Sequence, residues 1–234
     1  MARRAVLVHG AWHGSWTWEP VLPLLRARDI DPVLVDLPSA GKGGGLRDDV
    51  EVVRQAVLAE DRDTVLVGHS YGGVVITEAA LELPSVRHLV YLCAFMLDVG
   101  ESVVGLVEGV LPDWQELDPE RGVVRATSAE SVFYGDLPAD LAAEYSARLT
   151  AQTAAAFSEP LSGAAWRSIG STYLICDQDQ AIPPEFQRMM SQRATHRIEI
   201  TSSHTPMASH PQVVADLITN AQGGAHPTAA AVHG

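Results

Sequence analysis

A single serine stands between glycines at a point where a strand-like run gives way to a helix-like pattern. Residues 64–78 read TVLVGHSYGGVVITE, with Ser70 in the middle of Gly-His-Ser-Tyr-Gly. Glycines two before and two after the serine relieve the crowding of a sharp strand-to-helix turn, which lifts the hydroxyl clear of the sheet. This context predicts a nucleophilic serine. The pattern Gly-x-Ser-x-Gly fixes only three positions, however, and it also fits a serine that caps a helix, with glycines for close packing.

A serine hydroxyl becomes a good nucleophile only when a base accepts its proton and a carboxylate orients that base. In a sheet that presents its nucleophile in this way, the chain order is serine, carboxylate, histidine, each on a loop after a strand. His204 follows the last strand-like run and precedes the last helix, which makes it the predicted base. His210 is the alternative, since its position before Pro211 is equally typical of a residue at a helix entry.

Two aspartates follow the strand-like run that precedes His204, in the stretch Cys-Asp-Gln-Asp-Gln from residue 176. Asp179 lies farther past the end of the strand, which favours a loop position and the role of the orienting acid. Asp177 stays open as the alternative, although a turn residue of this type often bonds its own backbone.

Acyl transfer also requires donors directed at the oxyanion that develops on the substrate. The residue after the nucleophile supplies one such backbone N–H, which assigns this role to Tyr71. The second donor should come from the loop after the first strand, VHGAWHGSW from Val8, where we predict the N–H of Ala11. A plain glycine turn with aromatic packing is the alternative interpretation of that loop.

The elements that must position these residues appear as apolar runs alternating with amphipathic stretches. Continuous hydrophobicity predicts strands that are covered on both faces, as in a parallel sheet. Helical spacing of apolar residues begins at Leu46, and prolines predict further helices from Pro183 and Pro211. The alternation predicts an α/β fold with a doubly wound, mostly parallel sheet of about six strands. The apolar runs are Ala5–Val8, Pro32–Val35, Thr64–Val67, Leu89–Phe95, Thr172–Cys176 and His196–Ile200.

A long interval, residues 97–168, shows no clear strand and breaks this rhythm. Intervals of that length in a compact domain usually carry function, so we predict a small helical cap inserted into a core of residues 1–96 and 169–220. Residues 221–234, rich in glycine, alanine, proline and histidine, are expected to form a flexible tail. The side chains predicted to face a substrate pocket are Trp12, Phe133, Phe157, Leu161 and Trp166.

Composition limits the classes of partner. The 234-residue chain carries a formal net charge of −13 and has a pI near 5.0, which argues against nucleic acid, whose binders carry basic patches. No apolar run approaches the ~18 residues of a membrane span, and we find no export signal. Cys93 and Cys176 lie in apolar runs without metal-ligand spacing, so we expect reduced thiols, a cytoplasmic location and no metal site.

These segments together resemble the α/β-hydrolase superfamily, and in particular the plant methylesterases and hydroxynitrile lyases with their bacterial esterase relatives. The stretches that carry the resemblance are VLVHGAWHGSW from Val6, DLP from Asp36, GHSYGG from Gly68, DQDQAIPPEFQ from Asp177 and SHTPMASHP from Ser203. They run in the order of the family over nearly the whole chain.

The resemblance implies a role for each site residue. It matches Ser70 as the nucleophile, His204 as the base, the second aspartate Asp179 as the acid, and Ala11 and Tyr71 as the oxyanion donors. It also implies an enzyme that needs no cofactor and acts on a small-molecule ester. Homodimers occur among such relatives, so a homodimer is a further expectation.

The chain departs from the lyase branch of that group. Where those lyases have a threonine in the oxyanion loop and a lysine after the catalytic histidine, this chain has Gly10 and Thr205, and its single lysine is Lys42. That pattern resembles the esterase branch and implies a serine hydrolase for a small to medium, largely apolar carboxylic ester. Thioesterase, lactonase, perhydrolase or lyase chemistry, and a ligand-binding receptor without turnover, stay open as alternatives.

Overall fold

The computed structural model describes residues 3–221 and contains nine strands and ten α-helices in that range. The strands are β1 (Arg3–Val8), β2 (Ile30–Val35), β3 (Thr64–His69), β4 (Val86–Leu92), β5 (Gln115–Asp118), β6 (Val123–Ala126), β7 (Gln152–Thr153), β8 (Ser171–Cys176) and β9 (His196–Ile200). The helices are α1 (Leu22–Arg26), α2 (Leu46–Leu58), α3 (Gly72–Ala79), α4 (Val103–Leu106), α5 (Ala129–Phe133), α6 (Ala139–Ser146), α7 (Ala155–Ser158), α8 (Pro184–Met190), α9 (Pro206–Ser209) and α10 (Pro211–Ala221). The tail predicted for residues 221–234 lies outside the described residues, apart from Ala221 at the end of α10.

Six strands form one parallel sheet in the order β2-β1-β3-β4-β8-β9. The inner strands β3 and β8 are buried along their whole length, whereas the edge strands β2 and β9 are partly exposed. The inner strands are largely apolar because both of their faces are covered. One buried cluster includes residues of α2 and α3, and a second includes residues of α1 and α10. The predicted α/β fold with a doubly wound sheet is confirmed.

Each apolar run predicted as a strand coincides or overlaps with one. The run His196–Ile200 has the predicted bounds, and the other five differ at one end or at both. The largest shift is in β4, which ends at Leu92 and not at Phe95. Cys93 has a φ of 37°, in the left-handed region, so the chain turns out of the sheet at that residue.

The parallel arrangement places the carboxyl ends of the strands at one edge of the sheet, where ligands of such folds bind. The loops that leave β1, β3, β8 and β9 at this edge carry Ala11, Ser70, Asp179 and His204, respectively. Residues that are far apart in the sequence are thereby brought to the same side of the molecule.

The inserted segment, residues 97–168, is not purely helical. Besides four helices, it contains a three-stranded antiparallel sheet of order β5-β6-β7. The prediction of a cap without strands is therefore wrong. These strands read QELD, VVRA and QT, and they are too short and too polar to produce an apolar run. The cap also shares its core with the sheet, since Phe133 and Phe157 belong to the same buried cluster as Val6 and Leu66.

None of the helices within residues 3–221 is long and apolar enough to cross a membrane.

Candidate active site

Ser70 lies on a strained turn between β3 and α3. Its φ is 53°, in the left-handed region that residues other than glycine rarely adopt. Its N–H donates to the carbonyl of Leu92 at 3.2 Å. A Cβ on Gly68 would lie 2.6 Å from the carbonyl oxygen of Gly72, and a Cβ on Gly72 would lie 2.7 Å from that of Val8. The close main-chain contacts leave no room for a side chain at either position, so both residues must be glycine. The turn places Ser70 at the wall of a cleft.

His204 and Asp179 form a buried pair. Nδ1 of His204 lies 2.7 Å from Oδ2 of Asp179, and each residue is 1% exposed. The other carboxylate oxygen, Oδ1, accepts the backbone N–H groups of Ala181 and Ile182 at 2.7 and 2.9 Å. Because the carboxylate is fixed in this way, it holds the imidazole in one orientation, with Nε2 on the opposite side of the ring.

Neither of the alternative residues from the sequence reaches this pair. Asp177 accepts the hydroxyl of Thr201 at 3.2 Å and so connects the ends of β8 and β9. Nδ1 of His210 lies 2.9 Å from the hydroxyl of the preceding serine. The structure thus brings Asp179 together with His204, and it places Asp177 and His210 elsewhere.

Gln187 supports the carboxylate of Asp179, a role that the sequence did not indicate. Its amide N–H donates to Oδ2 of Asp179 at 2.8 Å, and its amide oxygen accepts the N–H of Cys176 at 3.0 Å. Gln187 is completely buried, whereas Phe186 and Met189 of the same helix are 37% and 46% exposed. The inner face of α8 is therefore polar at Gln187. A search for helices by the spacing of their apolar residues does not detect a buried polar residue of this kind.

The cap holds the loop that carries His204. Asp136, which follows α5, accepts the backbone N–H and the hydroxyl of Ser203 at 2.9 and 2.5 Å, and the hydroxyl of Ser202 at 3.2 Å. Burial raises the pKa of this carboxyl, but the hydrogen bonds from the serines outweigh burial and leave the pKa below its ordinary value. On the other side of the loop, Nε2–H of His69 donates to the carbonyl of His204 at 2.8 Å.

Two buried histidines hold the loop after β1. Nδ1 of His9 lies 2.8 Å from the carbonyl oxygen of Gly10, and Nδ1 of His13 lies 2.7 Å from that of Ala11. Since a carbonyl only accepts, Nδ1 carries the proton in both rings. Burial lowers the pKa of His9 to about 4 and that of His13 to about 3, so both side chains are neutral at pH 7.

The second nitrogen of each ring also has a partner. Nε2 of His9 accepts the backbone N–H of Leu37 at 3.0 Å, and Nε2 of His13 accepts the hydroxyl of Tyr134, a cap residue, at 2.8 Å. His13 therefore links the loop after β1 to the cap. The sequence did not indicate this role, because the partner lies 121 residues away along the chain.

Ala11 and Tyr71, the predicted oxyanion donors, both line the cleft beside Ser70. Within residues 3–221, the backbone N–H of neither residue is bonded to an acceptor of the chain itself. Trp12, with a φ of 64°, turns the loop directly after Ala11. Two N–H groups beside a serine hydroxyl are the arrangement that an oxyanion requires.

The cleft holds about 580 Å³ of empty space, counting its open mouth. Its walls are mostly apolar, and none of the described residues that line it is charged. Trp12 and Phe157, two of the predicted pocket residues, belong to these walls. The lining residues are Ala11, Trp12, Ser70, Tyr71, Phe95, Val103, Val104, Val107, Val110, Leu111, Pro112, Trp114, Gln115, Phe157, Ala181 and Ile182.

The other three residues predicted to face the pocket lie outside its lining. Phe133 stacks behind the wall, with its ring centroid 5.8 Å from that of Trp12. Leu161 is 2% exposed and lies in the buried cluster, and Trp166 donates its indole N–H to the carbonyl of Leu97 at 2.8 Å. These side chains pack the cap onto the sheet, and aliphatic residues in and after α4 take the places that were predicted for them.

Among the described residues, one group of possible metal ligands comes together. Ligand atoms of His69, Cys93 and His204 lie within 4.8 Å of one another, and all three residues are buried. Nε2 of His69 and Sγ of Cys93 both donate to the carbonyl of His204, at 2.8 and 3.1 Å. These contacts give His69 and Cys93 a structural role in fixing the loop of His204.

Comparison with known proteins gives the family. The model of the alpha/beta hydrolase family matches residues 5–217. An alpha/beta hydrolase of Aspergillus novofumigatus is 32% identical over 94% of this chain and 96% of that protein. Methylesterase 7 of Arabidopsis thaliana is 27% identical over 92% of this chain and 95% of that protein. A solved pyrethroid hydrolase from Sphingobium faniae JZ-2 matches with a TM-score of 0.80 at 22% identity, over 96% of this chain and 100% of that structure, which shows the fold alone.

The fold and the relatives define an enzyme of the hydrolase class. The chain belongs to the alpha/beta hydrolase family, and its predicted resemblance to plant methylesterases is confirmed. Relatives named as hydrolases and esterases support an activity of that kind for this chain.

Proposed function

We propose that this chain is a serine esterase that hydrolyses small to medium, largely apolar carboxylic esters. The observation that carries the proposal is the buried 2.7 Å contact between Nδ1 of His204 and Oδ2 of Asp179, at the same sheet edge as Ser70. An oriented imidazole is what converts a serine hydroxyl into a nucleophile. The strained turn at Ser70 and its position in the cleft wall support the same assignment.

In the first half of the reaction, Nε2 of His204 takes the proton of the Ser70 hydroxyl while the serine oxygen attacks the ester carbonyl. Asp179 keeps the ring oriented and stabilises the imidazolium that forms. The N–H groups of Ala11 and Tyr71 receive the negative charge that develops on the former carbonyl oxygen. His204 then gives the proton to the departing alcohol, and the acyl group stays on Ser70.

In the second half, water takes the place of the alcohol. His204 removes a proton from the water molecule, whose oxygen attacks the acyl carbon. The same two N–H groups hold the oxyanion again. The carboxylic acid then departs, and His204 returns the proton to Ser70.

The cleft favours a neutral substrate. A charged group would lose its water on entering and would meet no counter-ion among the described lining residues, which costs several kcal/mol or more. The mostly apolar walls of the cleft therefore support a substrate with an apolar acyl or alcohol group.

The test is the loss of the Ser70 hydroxyl. We expect Ser70→Ala to lower the turnover of p-nitrophenyl acetate by about 10⁶-fold, and the wild type to show a burst of product equal to the enzyme concentration. Ser162→Ala is the control, because that hydroxyl binds Glu78 on the exposed surface and should leave turnover unchanged. Full activity in Ser70→Ala would overturn the proposal. Tight binding of a small ligand without turnover in the wild type would favour the receptor alternative.

We further propose a cytoplasmic location, which the buried and unpaired thiols of Cys93 and Cys176 support. The homodimer stays a prediction from the resemblance, and light scattering would test it.

A further inference from the structure

A carboxylate is buried in the core beside the candidate oxyanion site. Asp49, on α2, is completely buried and accepts three hydrogen bonds. Its Oδ1 accepts the N–H of Ser39 at 3.0 Å, and its Oδ2 accepts the hydroxyl of Ser39 at 2.5 Å and that of Tyr71 at 2.8 Å. No arginine, lysine or histidine in residues 3–221 forms an ion pair with it.

The hydrogen bonds continue from Ser39 into the cap. The hydroxyl oxygen of Ser39 accepts the amide N–H of Gln152, on β7, at 2.7 Å. The amide oxygen of Gln152 in turn accepts the backbone N–H of Trp12 at 3.3 Å. We call the side chains of Gln152, Ser39, Asp49 and Tyr71 the Asp49 network. It connects the peptide that follows Ala11 with the side chain of Tyr71.

The direction of these bonds is fixed. The hydroxyls of Ser39 and Tyr71 donate into the carboxylate, and the amide of Gln152 donates into Ser39, so Asp49 ends the network as the acceptor. An ionised carboxylate offers only acceptor sites and satisfies this pattern, whereas a neutral acid would bring a further donor. Burial is the larger effect and leaves the pKa of Asp49 above its ordinary value, although the hydrogen bonds from Ser39 and Tyr71 oppose it.

Burial of a carboxylate without a cation costs free energy, and apolar residues of the same volume would stabilise the fold at least as well. Where such a group is present and fully hydrogen-bonded, it fixes the positions of its partners. Here the partners at the two ends are Trp12, directly after Ala11, and Tyr71. Tyr71 carries one of the two N–H groups assigned to the oxyanion, and Ala11, the residue before Trp12, carries the other.

We propose that Asp49 is a positioning residue that holds both oxyanion donors at their working separation, through Tyr71 on one side and Gln152 on the other. The inference rests on the proposed serine mechanism and adds a requirement to it. Donors stabilise a transition state only when they point at the place where charge develops, so a shift of a fraction of an ångström in either N–H lowers the rate. Binding of the uncharged ester before reaction depends much less on these donors.

The test compares two buried tyrosine hydroxyls. Tyr71→Phe removes the hydroxyl that donates to Asp49 but keeps the ring in the cleft wall. Tyr91→Phe is the matched control, because its hydroxyl is equally buried and lies 2.8 Å from the hydroxyl of Thr77, away from the site. We expect Tyr71→Phe to lower kcat on p-nitrophenyl acetate about tenfold with KM nearly unchanged, less than the ~10²–10³ lost with an oxyanion donor itself.

Two further measurements separate positioning from general damage. A trifluoromethyl ketone forms a tetrahedral oxyanion adduct with a serine, so its inhibition constant should rise in Tyr71→Phe by the same factor as kcat falls. Asp49→Asn cannot accept all three donors and should show the same loss, and the double variant should be no worse than either single variant.

The outcomes distinguish this inference from the proposed function. If Ser70→Ala is inactive while Tyr71→Phe and Asp49→Asn match Tyr91→Phe in kcat and inhibition, the serine mechanism stands and the positioning role is overturned. Losses that multiply in the double variant would also overturn it, because the two residues would then act independently. If Ser70→Ala is fully active, the proposed function itself fails.

Discussion

His9 and His13 make the stability of the fold depend on pH, in a window that their pKa values define. In the unfolded chain both titrate near 6.5, whereas burial lowers the folded pKa of His9 to about 4 and that of His13 to about 3. Between these folded values and about pH 6.5, the unfolded chain therefore binds protons at both histidines and the folded chain does not. The stability from these neutral histidines is fully present above pH ~6.5 and is lost as the pH falls towards the folded values.

The size of the effect follows from linkage. Between about pH 7 and about pH 5.5, each histidine shifts the equilibrium towards the unfolded state about eightfold, or about 1 kcal/mol, so the pair costs about 2–3 kcal/mol. His69, whose pKa burial lowers well below 6.5, acts in the same direction as His9 and His13. Asp49 acts with the opposite sign, because burial raises its pKa and its protonation favours the folded state as the pH falls.

Urea unfolding followed by tryptophan fluorescence at the two pH values measures this loss, and both values stay above the pI near 5.0. His13→Gln removes one titrating group. The decrease in its free energy of unfolding between the two pH values should therefore be about 1 kcal/mol smaller than the decrease in the wild type. This difference does not depend on the absolute stability of the variant or on Asp49. Equal free energies of unfolding at both pH values in the wild type, or an unchanged loss in His13→Gln, would refute the reasoning.

Three further predictions concern the site and its walls. Asp179→Asn removes the charge that orients His204, and initial rates should fall by about 10⁴-fold; a loss below tenfold would contradict this role. Gly68→Ala places a Cβ 2.6 Å from a main-chain oxygen, so calorimetry should show a Tm lower by roughly 5–10 °C, and an unchanged Tm would mean that the turn relaxes easily. Phe157→Ala should shift the preference among p-nitrophenyl esters towards longer acyl chains, whereas Leu161→Ala, outside the cleft lining, should lower stability only; identical profiles for the two variants would count against the cleft as described.

The sheet could be predicted from the sequence because its inner strands are buried on both faces. Runs such as Thr64–Val67 consist of apolar or β-branched residues, and the glycines around Ser70 mark the turn that ends this run. Once a parallel sheet was inferred, the chain order of such a site placed the acid after the run Thr172–Cys176, at Asp177 or Asp179, and favoured His204 as the base. The family resemblance then selected Asp179 over Asp177, and the contact with His204 agrees with that choice.

The polar supports of the site could not be predicted in the same way. Gln152, Gln187 and Asp136 bind partners that adjoin them only in the folded chain, and hydrogen-bond partners leave no periodic pattern in a sequence. Part of the cleft wall was missed for a related reason. Aromatic residues such as Phe133 and Trp166 are expected at either a pocket or a packing interface, and only the fold shows which of the two they occupy.

The attachment of β7 to the loops of the core limits how this cap could be exchanged in engineering. The N–H of Thr150 donates to the carbonyl of Trp12, the N–H of Gly41 donates to the carbonyl of Ala151, and Gln152 binds the N–H of Trp12. A chimera that replaced the whole insertion would therefore lose supports of the oxyanion loop along with the old pocket. The segment around α4, in contrast, lines the cleft and contributes none of these bonds. A chimera designed for a new specificity should accordingly take only the region of α4 from the other enzyme and retain residues 150–153 of this chain.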